Sequence, residues 1–118
     1  MLIRLDPQSD AAIFAQIAAS VRADLAAGRL GPGDRLPTAR DVARALGVNL
    51  HTVLRAYQDL RDEGLVDMRR GRGATVTDAA APLAELRDDV VALAAKARRL
   101  GLSPDTLAAL VKETADDH

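Results

Sequence analysis

Apolar positions recur at helical spacing in five stretches of the chain and alternate at strand spacing in one short hairpin. Ile13, Ile17, Val21 and Leu25 repeat every four residues, which predicts a helix that Ser9 or Asp10 can cap and that Gly28 is placed to end. Phe14 widens its apolar face into a core contact. Ahead of it, Leu2, Ile3 and Leu5 alternate loosely with Arg4 and predict a short strand, ended by Asp6 and Pro7. Residues 28–37, GRLGPGDRLP, hold too much Gly and Pro to continue a helix and read as a connecting turn with Leu30 and Leu36 tucked inward.

A second helix starts at Thr38, which forms a capping-box pattern with Asp41, carries Val42 and Leu46 four apart, and stops at Gly47. The next begins at once. Asn49 is a good N-cap, Val53, Ala56, Tyr57 and Leu60 form the apolar stripe, and Gly64 terminates it. Two short helices joined by a tight Gly-Val-Asn turn are the mark of a helix-turn-helix. Leu65–Arg69 and Ala74–Thr77 then read as two strands around Arg70-Gly71-Arg72-Gly73, a hairpin tip carrying two arginines, so the unit is a winged helix-turn-helix.

Past Asp78, the AAAP segment marks a boundary between a domain over 1–78 and a tail over 79–118. Leu83, Leu86, Val90, Leu93, Ala97 and Leu100 follow at alternating spacings of three and four, an a/d seam. Gly101 stops that helix. Ser103-Pro104 restarts one with a capping residue and Pro at its first position, and Leu107, Leu110 and Val111 supply its apolar face. Helices of ~12 to 15 residues are marginal alone, so these stripes need a partner surface. A second subunit is the simplest one, giving a homodimer; folding back onto the same chain, or a mixture of both, is the alternative. The expected fold class is therefore mainly α with a small β wing, a winged helix-turn-helix followed by a two-helix dimerisation tail.

Composition narrows the function classes. At 118 residues, 48% hydrophobic and 28% charged, the chain is a folded protein with a modest core, too short to add a large ligand-binding domain. It has no Cys, which excludes disulfides, thiolate zinc sites and a Cys nucleophile. The opening MLIRLDP carries acid early and offers no signal-peptide run, and no stretch approaches the ~20 apolar residues of a membrane span, so a cytoplasmic protein is expected, with no membrane partner. The only histidines are His51 and the terminal His118, with no convergent nucleophile or metal-ligand set; no enzyme, no metal site and no cofactor are expected.

The net charge of −1 conceals a polarity. Residues 28–77 hold nine Arg against six acids, and residues 78–118 hold five basic against eight acidic side chains. A basic middle with an acidic tail suits a nucleic-acid partner, although an ordinary solvated surface has the same look.

On the third helix a step of about 100° per residue places His51, Arg55 and Gln58 opposite Val53, Tyr57 and Leu60. Such long donors and acceptors near a helix N-terminus suit base edges or phosphates; a plain solvated face is the alternative. Arg40 sits in the first turn of the second helix, where a cation opposes the dipole at ~0.3 to 1 kcal/mol unless a phosphate, or the neighbouring Asp41, offsets it. Arg70 and Arg72 flank Gly71 at the wing tip, able to reach a phosphate or a minor groove. Asn49 and Thr52 can cap the third helix and also donate to the DNA backbone.

The span GRLGPGDRLPTARDVARALGVNLHTVLRAYQDLRDEGLVDMRRGRGATV, residues 28–76, resembles the winged helix-turn-helix of the GntR family of bacterial regulators. The matching features include Gly28, Leu30, Pro32-Gly33, Leu36-Pro37-Thr38 with Arg40, Thr52-Val53, Arg55-Ala56-Tyr57, Glu63-Gly64-Leu65 and Gly71-Arg72-Gly73. Asp6-Pro7, Ile13-Phe14 and Gln16-Ile17 also fit. Residues 97–103, ARRLGLS, within a short two-helix tail resemble the YtrA-like subfamily. The resemblance implies a cytoplasmic DNA-binding repressor, dimeric through the C-terminal helices, often acting on nearby transporter operons and its own promoter; the two-fold symmetry of such a dimer in turn calls for an inverted-repeat operator. By position it implies Arg40, His51, Thr52 and Gly71 as DNA contacts, with Arg55 a further candidate. Leu50 and His51 stand where relatives often carry Pro and Asn, so a base preference does not transfer. The competing class is a winged-helix protein-interaction module without DNA binding; the spread of Arg40, Arg55, Arg70 and Arg72 favours double-stranded operator DNA. A small-molecule effector is unassigned, the dimer interface or the helix junction being where one would fit.

Overall fold

A computed structural model, which describes residues 3–70 and 73–117, follows the expected order of elements. They are α1 (Ile13–Ala26), α2 (Ala39–Leu46), α3 (Leu50–Asp62), β1 (Val66–Arg69), β2 (Gly73–Val76), a 3-10 turn (Asp78–Ala80), α4 (Pro82–Arg99) and α5 (Pro104–Asp116). The chain divides into two compact units, Met1–Glu85 and Leu86–His118. The fold is mainly helical with a two-stranded antiparallel wing.

In the first unit the apolar stripes of three helices and the inner face of the hairpin share one core. Ile17 and Val21 of α1, Val42 and Ala43 of α2, and Val53, Ala56, Tyr57 and Leu60 of α3 are buried with Val66, Ala74 and Val76 of the wing. Leu30 and Leu36 are tucked in as expected. The pairing of Val66 with Val76 and of Met68 with Ala74 puts alternate residues on the core side and leaves Asp67 and Arg69 outside. The Gly/Pro-rich turn contributes more than a connection, because Arg35 bridges Thr75 on the free side of β2. Gly33 N–H donates to Val76 O at 2.9 Å, Val76 N–H to Asp34 O at 2.8 Å and Leu36 N–H to Ala74 O at 2.9 Å.

Tyr57 closes the core from the side of α3. Its ring is buried, and its hydroxyl donates to the Pro37 carbonyl at 2.6 Å, binding the helix to the residue just ahead of the α2 cap. Burial, which disfavours the phenolate, pushes its pKa well up. Asp24, also buried, accepts from Arg29 Nε at 2.7 Å, while its carbonyl accepts from the Arg29 and Leu30 N–H groups and shapes the exit of α1.

The N-terminal expectations need correction. Ile3–Leu5 is not a strand; Ile3 and Leu5 pack against the core half-buried, and no ladder partner runs beside them, the Arg4 carbonyl accepting only the Ser20 hydroxyl at 3.5 Å. Leu2 lies outside the described residues. Neither Ser9 nor Asp10 caps α1, whose N-cap is Ala12, because Ser9 Oγ is used within the preceding turn, accepting from Ala11 N–H at 3.1 Å. No side chain caps α1; Gln16 instead ties the preceding turn to the helix, accepting from Asp6 N–H at 2.7 Å and donating to Ala11 O at 3.0 Å. Ile13, in the first turn, is 36% exposed and so falls outside the core stripe.

Two outcomes follow for Tyr57, the only tyrosine of the chain. Tyr57→Phe should lower stability by about 1–2 kcal/mol, read from urea midpoints, since the Pro37 carbonyl loses its partner. In the folded protein, tyrosinate absorbance should not rise as pH passes ~10, whereas the urea-unfolded chain should titrate there. The folded-state pKa is raised, so this stabilisation is intact below the unfolded value and lost as pH climbs through the folded one.

Candidate nucleic-acid interface

The turn between α2 and α3 is built by three residues. Gly47, at φ 68°, takes the left-handed conformation that closes α2, and Val48 N–H returns to Ala43 O at 3.0 Å. Asn49 then opens α3, its side chain accepting from His51 N–H at 2.8 Å. At the other end of α2, Thr38 Oγ1 accepts from Asp41 N–H at 3.1 Å. The two helices therefore meet with no slack in the connection, and the outer face of α3 is set by the core stripe beneath it.

That outer face carries His51, Arg55 and Gln58, all exposed, with Thr52 half-buried at its edge. Arg40 is exposed on the first turn of α2, and Arg70 is exposed beyond β1. Gly71 and Arg72 lie outside the described residues, as does His118. Asn49 is seen in its capping role. Two cations escaped sequence reasoning. Arg44 is exposed one turn past Arg40 on the same side of α2, a placement the four-residue spacing already signalled; Arg35 is exposed on the segment beside β2, which Gly and Pro had disguised as a plain turn.

Ion pairing sorts the arginines. Arg22 is held by Glu63, Arg29 by Asp24, Arg61 by Asp62 and Arg69 by Asp67. Arg22 Nε donates to both Glu63 carboxylate oxygens at 2.9 and 3.2 Å, and these bonds raise the guanidinium pKa further. Among the described residues, Arg35, Arg40, Arg44, Arg55 and Arg70 have no carboxylate within ion-pair distance, Asp41 included. Arg55 instead lies over the Phe14 ring, its guanidinium carbon 3.7 Å from the centroid. These five sit on α2, on α3, and on and beside the wing, the elements expected to face a polyanion; Arg4 ahead of α1 and Arg87, Arg98 and Arg99 of α4 also lack a carboxylate within ion-pair distance among the described residues.

In the second unit, Leu86, Val90, Leu93, Leu100, Leu110 and Val111 are exposed, Leu107 is half-buried and Ala97 is buried. Leu83 departs from the expected seam, since it packs half-buried against the core of the first unit. Between α4 and α5 runs an apolar trough of about 520 Å³, floored by Leu93, Ala97, Leu107 and Val111 and edged by Arg98 and Lys112. Among the described residues no helix is long and apolar enough to cross a membrane, and no His, Cys, Asp or Glu group is arranged to hold a metal.

Residues 14–76 match the model of the bacterial regulatory proteins of the gntR family, just over half the chain. The HTH-type transcriptional repressor YtrA of Bacillus subtilis (strain 168) is 29% identical over 98% of this chain and 94% of its own length. The solved structure of YtrA from Sulfolobus acidocaldarius, a GntR-family transcription factor, superposes with a TM-score of 0.62 at 33% identity, covering 84% of this chain and 99% of that one. AraR(DBD), solved in complex with operator ORX1, superposes with a TM-score of 0.56 at 26% identity over 63% of this chain and 92% of its own. A winged helix-turn-helix matched along its length by transcription regulators identifies the chain as a member of the GntR family of bacterial regulatory proteins, of the YtrA-like kind.

Proposed function

We propose that this regulator acts in the cytoplasm as a homodimeric repressor, binding an inverted-repeat operator. The observation that carries the reading is the exposed polar face at the N-terminal end of α3, where His51, Arg55 and Gln58 stand beside the unpaired Arg40 of α2. In this reading α3 enters the major groove, His51 and Gln58 meet base edges, Thr52 and Asn49 border the same entrance, and Arg40 grips the backbone. Arg70, with Gly71 and Arg72, brings the wing against the neighbouring phosphates or minor groove. Operator binding by the similar AraR(DBD) and repression by the similar YtrA support it. A neighbouring transporter operon and the regulator's own promoter are the proposed targets.

The division of labour places DNA binding in residues 1–78 and dimerisation in 79–118. Support for the dimer comes from packing: α4 and α5 expose six large apolar side chains of their stripes, an arrangement costly in water and suited to covering by a second copy. Replacing both Leu86 and Leu93 by Asp should give monomers whose first unit stays folded; sedimentation of an unchanged dimer would rule this surface out.

A two-fold dimer presents two equal reading heads, so footprints at saturation should cover both halves of an inverted repeat; protection of one half alone would contradict this. The side chains divide by role. Arg40→Ala, and likewise loss of the Arg72 charge, should weaken binding to operator and scrambled duplexes alike and reduce the salt slope by about one. His51→Ala should chiefly lower the preference for operator, by ~1 to 3 kcal/mol if it reads a base. A salt titration on both duplexes measures these effects. No change in any variant would favour the interaction-module alternative.

A further inference from the structure

The seam between α1 and α3 holds two arginines in opposite ways. At one point Arg55 of α3 lies over Phe14 of α1; at the other Arg22 of α1 is clamped by Glu63 just past α3. From the first contact to the second the chain advances eight residues on both sides, so the helices run in the same direction along the seam. The first turn of α1 therefore flanks the N-terminal, reading end of α3, and the Arg22–Glu63 pair lies at the far end.

The chemistry of the two holds differs. A carboxylate fixes a guanidinium by neutralising it, whereas an aromatic face fixes it through its quadrupole and leaves the full positive charge in place. Arg22 is thus spent within the fold. Arg55 is oriented but still cationic, exposed, and one turn behind His51 on the outer face. The carboxylate that could have quenched it, Asp59 one turn further along α3, is not within ion-pair distance. An unheld arginine loses much rotamer freedom when it grips a phosphate, and a side chain already laid on a ring has lost part of it beforehand. The chain contains one Phe and no Trp, and its one phenyl ring stands at this point.

We propose that Phe14 is a positioning residue for DNA binding: its ring holds the charged Arg55 guanidinium at the reading end of α3, where Arg55 engages a backbone phosphate instead of a base. This rests on the reading of α3 as the helix that enters DNA. It turns Arg55 from a candidate base reader into a phosphate anchor, and gives α1, which has no other assigned part in recognition, an indirect one.

The test is a salt titration of the full-length protein on operator and scrambled duplexes with Phe14→Leu, Phe14→Tyr, Arg55→Ala and the Phe14→Leu/Arg55→Ala double variant, each checked by thermal melting. Arg55→Ala should weaken both duplexes alike and reduce the salt slope by about one. Phe14→Leu, which keeps an apolar side chain but no ring, should weaken both by about two- to five-fold, the part of the side-chain ordering cost on binding that the ring removes beforehand. Phe14→Tyr should restore wild-type binding, and in the Arg55→Ala background Phe14→Leu should have no further effect. The proposal is overturned if Phe14→Leu binds as wild type, if it weakens binding equally without Arg55, or if Phe14→Tyr fails to rescue. Loss of operator binding alone on Arg55→Ala would make Arg55 a base reader and overturn it too. A wild-type protein that binds neither duplex would remove the DNA-binding reading itself, a failure distinct from any of these.

Discussion

The hydroxyl of Tyr57 donating to the carbonyl of Pro37 ties together the parts whose relative placement decides what this molecule can present. Pro37 precedes the cap of α2 and follows the segment that runs along β2; Tyr57 sits mid-way along α3 with its ring among the core residues. One hydrogen bond, in a site dry enough to keep the phenol neutral, therefore fixes how α3 leans on the start of α2. With Gly47 closing α2 in the left-handed conformation and Asn49 opening α3 two residues later, little freedom is left in the angle between the helices. The outer face of α3 points where it does because its inner face has no alternative seat.

The same core distributes charge. Where α1 meets the C-terminal end of α3, Arg22 and Glu63 cancel, and Arg29 covers the buried Asp24 at the exit of α1. The exposed Arg22–Glu63 pair adds little to stability, but both pairs withdraw cations from the surface field. On α2, on α3 and around the wing, Arg35, Arg40, Arg44, Arg55 and Arg70 keep their charge with no carboxylate beside them. A chain with net charge −1 can in this way offer a polyanion a locally positive side.

Much of the first unit was legible in the sequence because its signals were local. Thr38, Gly47, Asn49 and Gly64 marked helix ends through capping and left-handed turns, and four-residue spacing marked the stripes on α1 and α3. What escaped depended on distant partners. The bridge of Arg35 to Thr75 spans forty residues and arises from backbone hydrogen bonds that any side chain could accompany. Ala12 became the cap of α1 because Ser9 was drawn into its own turn and Gln16 reached back over it, a competition that no single-position preference exposes. Leu83 continued the heptad spacing of α4 yet packed on the first unit's core, since periodicity tells which face is apolar and not what covers it. At the site, His51, Arg55 and Gln58 fell on one face by helix geometry alone, while the stacking of Arg55 on Phe14 required knowing that α1 lies alongside.

The segment from Gly33 to Leu36 hydrogen-bonds along β2 and runs straight into Pro37, so the hairpin and the entrance of α2 are joined through backbone rather than through a flexible linker. The distance between the wing and α3 is then a property of the fold and cannot adapt freely to each duplex. With α3 and the wing both on the duplex, as proposed, such a head would work as a calliper: a stretch of DNA whose groove width and local twist match the fixed span would be gripped at both points without deformation, and one that does not match would have to be bent or widened at a cost set by its own stiffness. Base pairs that no side chain touches would in that way still influence where the protein settles.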